Sequence, residues 1–146
     1  MNNMVSDAVM RTIDANSVIK IPFHDIDLMS IAWHGHYAKY FEIARCELFE
    51  KIGYGYQQML ESHYSWPVIE LHIRYVKPAE FGREINVNAK IVEYENRLKI
   101  QYLITDIESG QRLTKGYSIQ VAVDMETNEM CLASPNVLLE KLGVKV

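Results

Sequence analysis

Between Phe23 and Tyr37 the chain reads Phe23-His24-Asp25-Ile26-Asp27-Leu28-Met29-Ser30-Ile31-Ala32-Trp33-His34-Gly35-His36-Tyr37. Two carboxylates, Asp25 and Asp27, and two histidines, His34 and His36, stand just ahead of a segment with helical spacing. A helix start leaves backbone N–H groups without partners and carries the positive end of the macrodipole. Negative charge developing on an oxygen is stabilised there. A nearby carboxylate can serve as general base or as nucleophile. These are the minimal parts of an acyl-transfer hydrolase that lacks a serine triad. Asp-x-Asp on its own also fits turn or capping chemistry. A metal site is not expected, because ligands two residues apart on a helix point apart and no third His–carboxylate pair completes a tetrahedron.

The elements that position these groups are legible from periodicity. Tyr37, Tyr40, Phe41, Ala44, Leu48, Phe49 and Ile52 recur at helical spacing, and Gly53 follows where a C-terminal cap favours a left-handed residue. The pattern predicts a helix from about His36 to Ile52, then a shorter one over Gly55 to Ser62. Ser17 to His24 reads as a strand, with Pro22 where a ladder bond can be spared. Residues 1–16 read as a loose arm. Trp66 to Lys77, Glu84 to Glu95, Arg97 to Ile107 and Arg112 to Met125 read as long strands separated by turn residues. Such short connections require antiparallel neighbours. Ser134 is expected to cap a final helix over residues 134–143, with Pro135 at its first position.

One helix with so broad an apolar face needs a sheet to cover it. The expected fold is α+β, a single domain in which a curved antiparallel sheet of about five strands wraps a long central helix. The open edge and exposed face of such a sheet predict an oligomer, at least a dimer.

Composition narrows the function. The chain has 146 residues, 49% of them hydrophobic, and a formal net charge of −4. No basic run is present to neutralise a nucleic-acid backbone, and no apolar run approaches a membrane span. Residues 1–16 lack the apolar core of a signal peptide, so the cytoplasm is the expected compartment. Cys46 and Cys131 form no CxxC pair and are expected to be reduced and buried.

Three stretches carry a family resemblance. Asp25-Ile26-Asp27, then Trp33-His34-Gly35-His36-Tyr37, then Tyr40-Phe41-Glu42-Ile43-Ala44-Arg45 resemble the D-x-D, aromatic-H-x-N-Y and E-x-A-R pattern of the 4-hydroxybenzoyl-CoA thioesterase-like branch of the hotdog superfamily. Val76-Lys77-Pro78-Ala79-Glu80-Phe81-Gly82 resembles its Y-x-x-P-A-x-x-G turn. The likeness spans about Val18 to Asp124. It implies a hotdog fold and hydrolysis of an acyl-CoA or acyl-carrier-protein thioester, with that thioester as substrate and no resident cofactor. It places the catalytic carboxylate on Asp27 and the oxyanion donor on the backbone N–H of His34. A homodimer or homotetramer, a dimer of dimers, is the implied assembly. The chain departs from the pattern at His36, where relatives have Asn, and at Leu28-Met29-Ser30, where the linker is often Gly-rich.

Other residues carry weaker expectations. Asp25 reads as structural, and Glu42 is the backup acid because other hotdog thioesterases place theirs on this helix. His36 is a secondary candidate. Trp33, Tyr37, Arg74 and Lys77 are expected at the substrate, with Arg83, Arg97 and Lys99 further candidates for phosphate contacts. Tyr54, Tyr56, Tyr64 and Trp66 fit an acyl pocket or core packing equally well. Two alternatives stand beside hydrolysis: a non-catalytic acyl-binding module, and a hydroxyacyl thioester dehydratase. The first has no need of a carboxylate at Asp27, and the second would carry an H-F-P-G-x-P-type signature that is absent.

Overall fold

Helix α1, Tyr37–Lys51, buries Tyr37, Tyr40, Phe41, Ala44, Leu48 and Phe49, and these residues form the stripe expected from their spacing. Ile52 ends the helix and Gly53 turns the chain away at φ +73°. The structure, a computed structural model, describes residues 13–144.

A five-stranded antiparallel sheet covers α1. Its strands are β1 (Asp14–Lys20), β3 (Val68–Tyr75), β4 (Glu84–Glu93), β5 (Leu98–Asp106) and β6 (Arg112–Gln120), in the order β1-β4-β5-β6-β3. Strict alternation puts one face of each central strand on the helix. Ile85, Val87, Ala89 and Ile91 of β4 and Leu98, Ile100, Tyr102 and Ile104 of β5 are all buried. Phe41 stacks flat on Tyr102 at 4.3 Å between ring centroids. Gly116 on β6 permits this approach, because a Cβ there would stand 2.2 Å from the His72 carbonyl oxygen and 2.8 Å from the Phe41 ring.

Several boundaries differ from the sequence expectation. The first strand runs Asp14–Lys20 and so takes in residues assigned to a loose arm, while residues 1–12 lie outside the description. The cause is cross-strand pairing with β4, from Asp14 opposite Lys90 to Lys20 opposite Glu84. The last long strand breaks after Gln120, and Val123–Asp124 (β7) pairs instead with Tyr64–Ser65 (β2). Helix α2 spans Tyr56–Ser62, as the spacing predicts. Helix α3 is Asn136–Lys141, and Ser134 does not cap it; its hydroxyl donates to the Tyr94 carbonyl oxygen at 2.5 Å. Cys131 is half-buried but Cys46 is exposed, because it lies off the apolar stripe of α1. No helix among the described residues is long and apolar enough to cross a membrane.

Candidate active site

Proline at position 22 offers no N–H to continue the β1 ladder, and the chain leaves the sheet in a 3-10 turn, Phe23–Asp25. A bridge between Ile26 and Ala32 closes a small loop. Within it, the Asp27 N–H donates to the Ile31 carbonyl at 2.9 Å and the Ser30 N–H to the Asp27 carbonyl at 3.1 Å. The Met29 N–H donates to Asp27 Oδ1 at 2.8 Å, an Asx turn that fixes one carboxylate oxygen. Asp27 itself is exposed, and no hydrogen bond among the described residues engages its Oδ2. The segment after β3 braces the loop. Ala32 N–H donates to Ala79 at 2.7 Å, and Phe81 N–H to Ser30 at 2.9 Å.

The chain then enters a second 3-10 turn, His34–His36, which runs directly into α1. The Trp33 carbonyl accepts from the His36 N–H at 2.9 Å, and the His34 carbonyl accepts from the Tyr37 N–H. In a trans peptide the N–H points opposite to the C=O. With both carbonyls turned into the helix, the N–H groups of His34 and Gly35 point out of its N-terminal end. Tyr75, on β3, donates its hydroxyl to the same His34 carbonyl at 2.7 Å. Its ring meets those of His34 and Tyr37 nearly edge-on, at 6.2 and 5.0 Å.

A cavity of about 300 Å³ forms where these pieces meet, lined by Asp27, His34, Tyr37, Tyr75, Lys77 and Pro78 among others. That is the low end for a small-molecule site. Tyr37 is buried, and its hydroxyl accepts the Ala79 N–H at 3.2 Å, which ties the helix to the bracing turn. Burial raises the pKa of both the Tyr37 and the Tyr75 hydroxyl, so each remains a neutral donor at physiological pH.

Asp25 and Asp27 occupy opposite environments. Asp25 is 2% exposed and receives Lys39 Nζ at 2.8 Å on both oxygens and the Tyr40 hydroxyl at 2.8 Å. His24 and His36 stand 3.7 and 4.0 Å away. Burial alone would raise this carboxyl, but the Lys39 and Tyr40 hydrogen bonds and the Lys39 and His36 charges outweigh it and hold its pKa below the ordinary value. Asp25 therefore anchors the loop to the first turns of α1 and leaves Asp27 as the acid facing open space.

Other expected site residues lie elsewhere. Trp33 is outside the cavity, with its indole folded over Gly35, where a Cβ would stand 2.1 Å from the ring. Glu42 is exposed on the helix with Arg45 3.8 Å away. Arg74 points to the opposite face of the sheet from Tyr75, as strand alternation requires. Arg83 is taken up by Asp106 and Glu108, and Arg97 by Glu93. Lys99 lies over the Tyr117 ring at 4.5 Å. Tyr54 and Trp66 are buried together, with the indole N–H donating to the tyrosine oxygen at 3.0 Å, so they serve packing. Tyr56 is exposed. Tyr75 was not singled out by sequence reasoning. The available signal was its place at the tyrosine of the Y-x-x-P-A turn, completed here by Lys77-Pro78-Ala79.

Comparison with known proteins identifies the family and the fold. A candidate esterase of Synechocystis is 26% identical over 126 residues, covering 86% of this chain and 76% of its own length. A candidate acyl-CoA thioesterase of Bacillus subtilis is 26% identical over 109 residues, covering 75% and 79%. The structure of a DHNA-CoA thioesterase from Staphylococcus aureus superposes with a TM-score of 0.74 at 25% identity, over 82% of this chain and 80% of that one. The fold is the hotdog fold. The model of the thioesterase-like superfamily matches residues 21–142. With a match across most of its length, this chain belongs to the thioesterase-like superfamily.

Proposed function

We propose that this thioester hydrolase cleaves an acyl thioester of coenzyme A or of a carrier protein, with Asp27 as its catalytic carboxylate. The observation that carries the reading is the cavity in which an exposed carboxylate, Asp27, faces a helix start whose His34 and Gly35 N–H groups point outward. The thioester carbonyl oxygen sits at those N–H groups, where the tetrahedral intermediate's negative charge gains most. Removing one such donor typically costs about 3–4 kcal/mol of barrier. Asp27 Oδ1 is held by Met29, and Oδ2 acts on the carbonyl carbon, either directly or by taking a proton from water. The C–S bond then breaks, the thiolate leaves and is protonated, and water supplies the oxygen of the free acid. Lys77 at the cavity wall suits an anionic part of the substrate.

The sheet has one edge beneath the helix, at β1, and one open edge, at β3. Val68, Ile69, Leu71 and Val76 are exposed along or just beyond that open strand. A homodimer joined at β3 removes this edge and seats the cavity, through Tyr75 and Lys77, beside the partner.

The test is thiol release from a panel of acyl-CoA and acyl-carrier-protein thioesters by the full chain. Turnover of at least one is expected. Tight acyl binding with no release from any member would favour the non-catalytic module.

A further inference from the structure

The face of the sheet turned away from α1 carries a second and larger cavity, of about 460 Å³. Strand register builds its floor. Arg74 on β3 stands opposite Lys115 on β6, which stands opposite Leu103 on β5, which stands opposite Asn88 on β4. In the next row on the same face, Lys90 stands opposite Gln101. Directly opposed side chains begin about 5 Å apart, and like charges so placed destabilise a sheet. Arg74 and Lys115 are such a pair.

Arg74 and Lys115 have no acid opposite them in the register, whereas Lys90 faces Asp14 on β1. The chain has a net charge of −4, yet among the described residues no carboxylate lines this cavity. Among the described residues, none of Arg74, Lys90 and Lys115 forms an ion pair. The acids nearest the cavity are hydrogen-bonded to its lining or to a neighbouring cation. Glu70 accepts the Tyr117 hydroxyl at 3.0 Å, Asp14 accepts the Asn88 amide at 2.8 Å, and Glu93 accepts Arg97 at 2.9 Å.

We propose that this outer-face cavity is a phosphate-binding site. A guanidinium offers a two-pronged contact to a phosphate and the two ammonium groups add point charges. Together they match the charge of a phosphate monoester or pyrophosphate better than that of a single carboxylate. Two sources share that chemistry: the phosphates of the thiol carrier in the thioester substrate, or a separate phosphorylated small molecule. The first rests on the hydrolase reading; the existence of the site does not.

The experiment titrates the ¹⁵N-labelled full chain with inorganic pyrophosphate. Amide shifts are expected at Arg74, Lys90, Lys115 and Gly116. Affinity should fall at least tenfold in the Arg74→Ala/Lys115→Ala double variant and should not change in Lys141→Ala, an exposed lysine elsewhere. No localised shifts, or equal binding by a folded double variant, would overturn the proposal. A second arm compares KM for an acyl-CoA and for the phosphate-free N-acetylcysteamine thioester of the same acid. A rise confined to acyl-CoA assigns the site to the substrate's carrier, and no change in either assigns it to a separate ligand. Turnover of the phosphate-free thioester by the unaltered protein tests the hydrolase reading by itself.

Discussion

The hydroxyl of Tyr75 lies 2.7 Å from the carbonyl oxygen of His34, so an edge strand of the sheet holds the peptide that opens the long helix. That peptide carries the Gly35 N–H on its other side. The bond therefore fixes the orientation of the peptide that opens the helix beside the cavity.

Tyr75→Phe should keep the ring contacts with His34 and Tyr37 and lose only the hydroxyl. A neutral hydrogen bond is worth about 0.5–1.5 kcal/mol net. We expect kcat to fall roughly three- to tenfold, with KM and melting temperature close to those of the unaltered protein. Steady-state kinetics and thermal denaturation check this, and a KM effect without a kcat effect would refute it.

Asp25 ties stability to pH. Its folded pKa lies below its unfolded value of about 3.9. The stabilisation is complete above that value and is lost as pH falls through the lower folded value. Urea denaturation between pH 2 and 7 should show a loss of stability at the acid end that is smaller in Asp25→Ala, the remainder coming from carboxylates such as Asp106, which Arg83 also holds low. Because Lys39 and Tyr40 lose their acceptor, that variant should be destabilised by about 2–4 kcal/mol at neutral pH.

Gly35 is needed for the placement of Trp33, whose ring atoms lie 2.1–2.6 Å from where a Cβ would stand. The indole is about half exposed, 48%, and can swing away. Gly35→Ala should thus remain folded but shift the tryptophan emission, and Trp33→Ala should remove that shift. Fluorescence of the single and double variants reads this directly.

Leu71 is 44% exposed on the open strand β3. By light scattering the unaltered chain should run as the proposed dimer and Leu71→Arg as a monomer. Activity should fall with it, because Tyr75 and Lys77 lie on or just after the same strand.

The elements read most cleanly from sequence were those with a sustained period. The stripe from Tyr37 to Phe49 gave the helix, and Gly53 its end, because both depend on local geometry. Strand ends did not follow from local signals. Asp14, Ala15 and Asn16 join β1 only because β4 pairs with them. The same holds in the candidate site. The motif placed Asp27 before the helix, but the separation of its surroundings from those of Asp25 depends on Lys39 and Tyr40 one turn into α1. Arg74 and Tyr75 are neighbours in sequence and lie on opposite faces, so which of them meets the cavity depends on strand parity relative to the helix. A one-residue shift in β3 would exchange them.

The most direct measurement is kcat/KM for thioester hydrolysis by Asp27→Asn beside Glu42→Gln, on a substrate the unaltered chain turns over. Asparagine preserves the Met29 contact at Oδ1 and removes the carboxylate, so the fold should be unchanged. Loss of a positioned acid–base group costs about 10²- to 10⁴-fold. We predict a loss in that range for Asp27→Asn and less than a twofold change for Glu42→Gln. An Asp27→Asn protein with near-full activity, together with an inactive Glu42→Gln protein, would contradict the assignment and move the catalytic acid onto the helix.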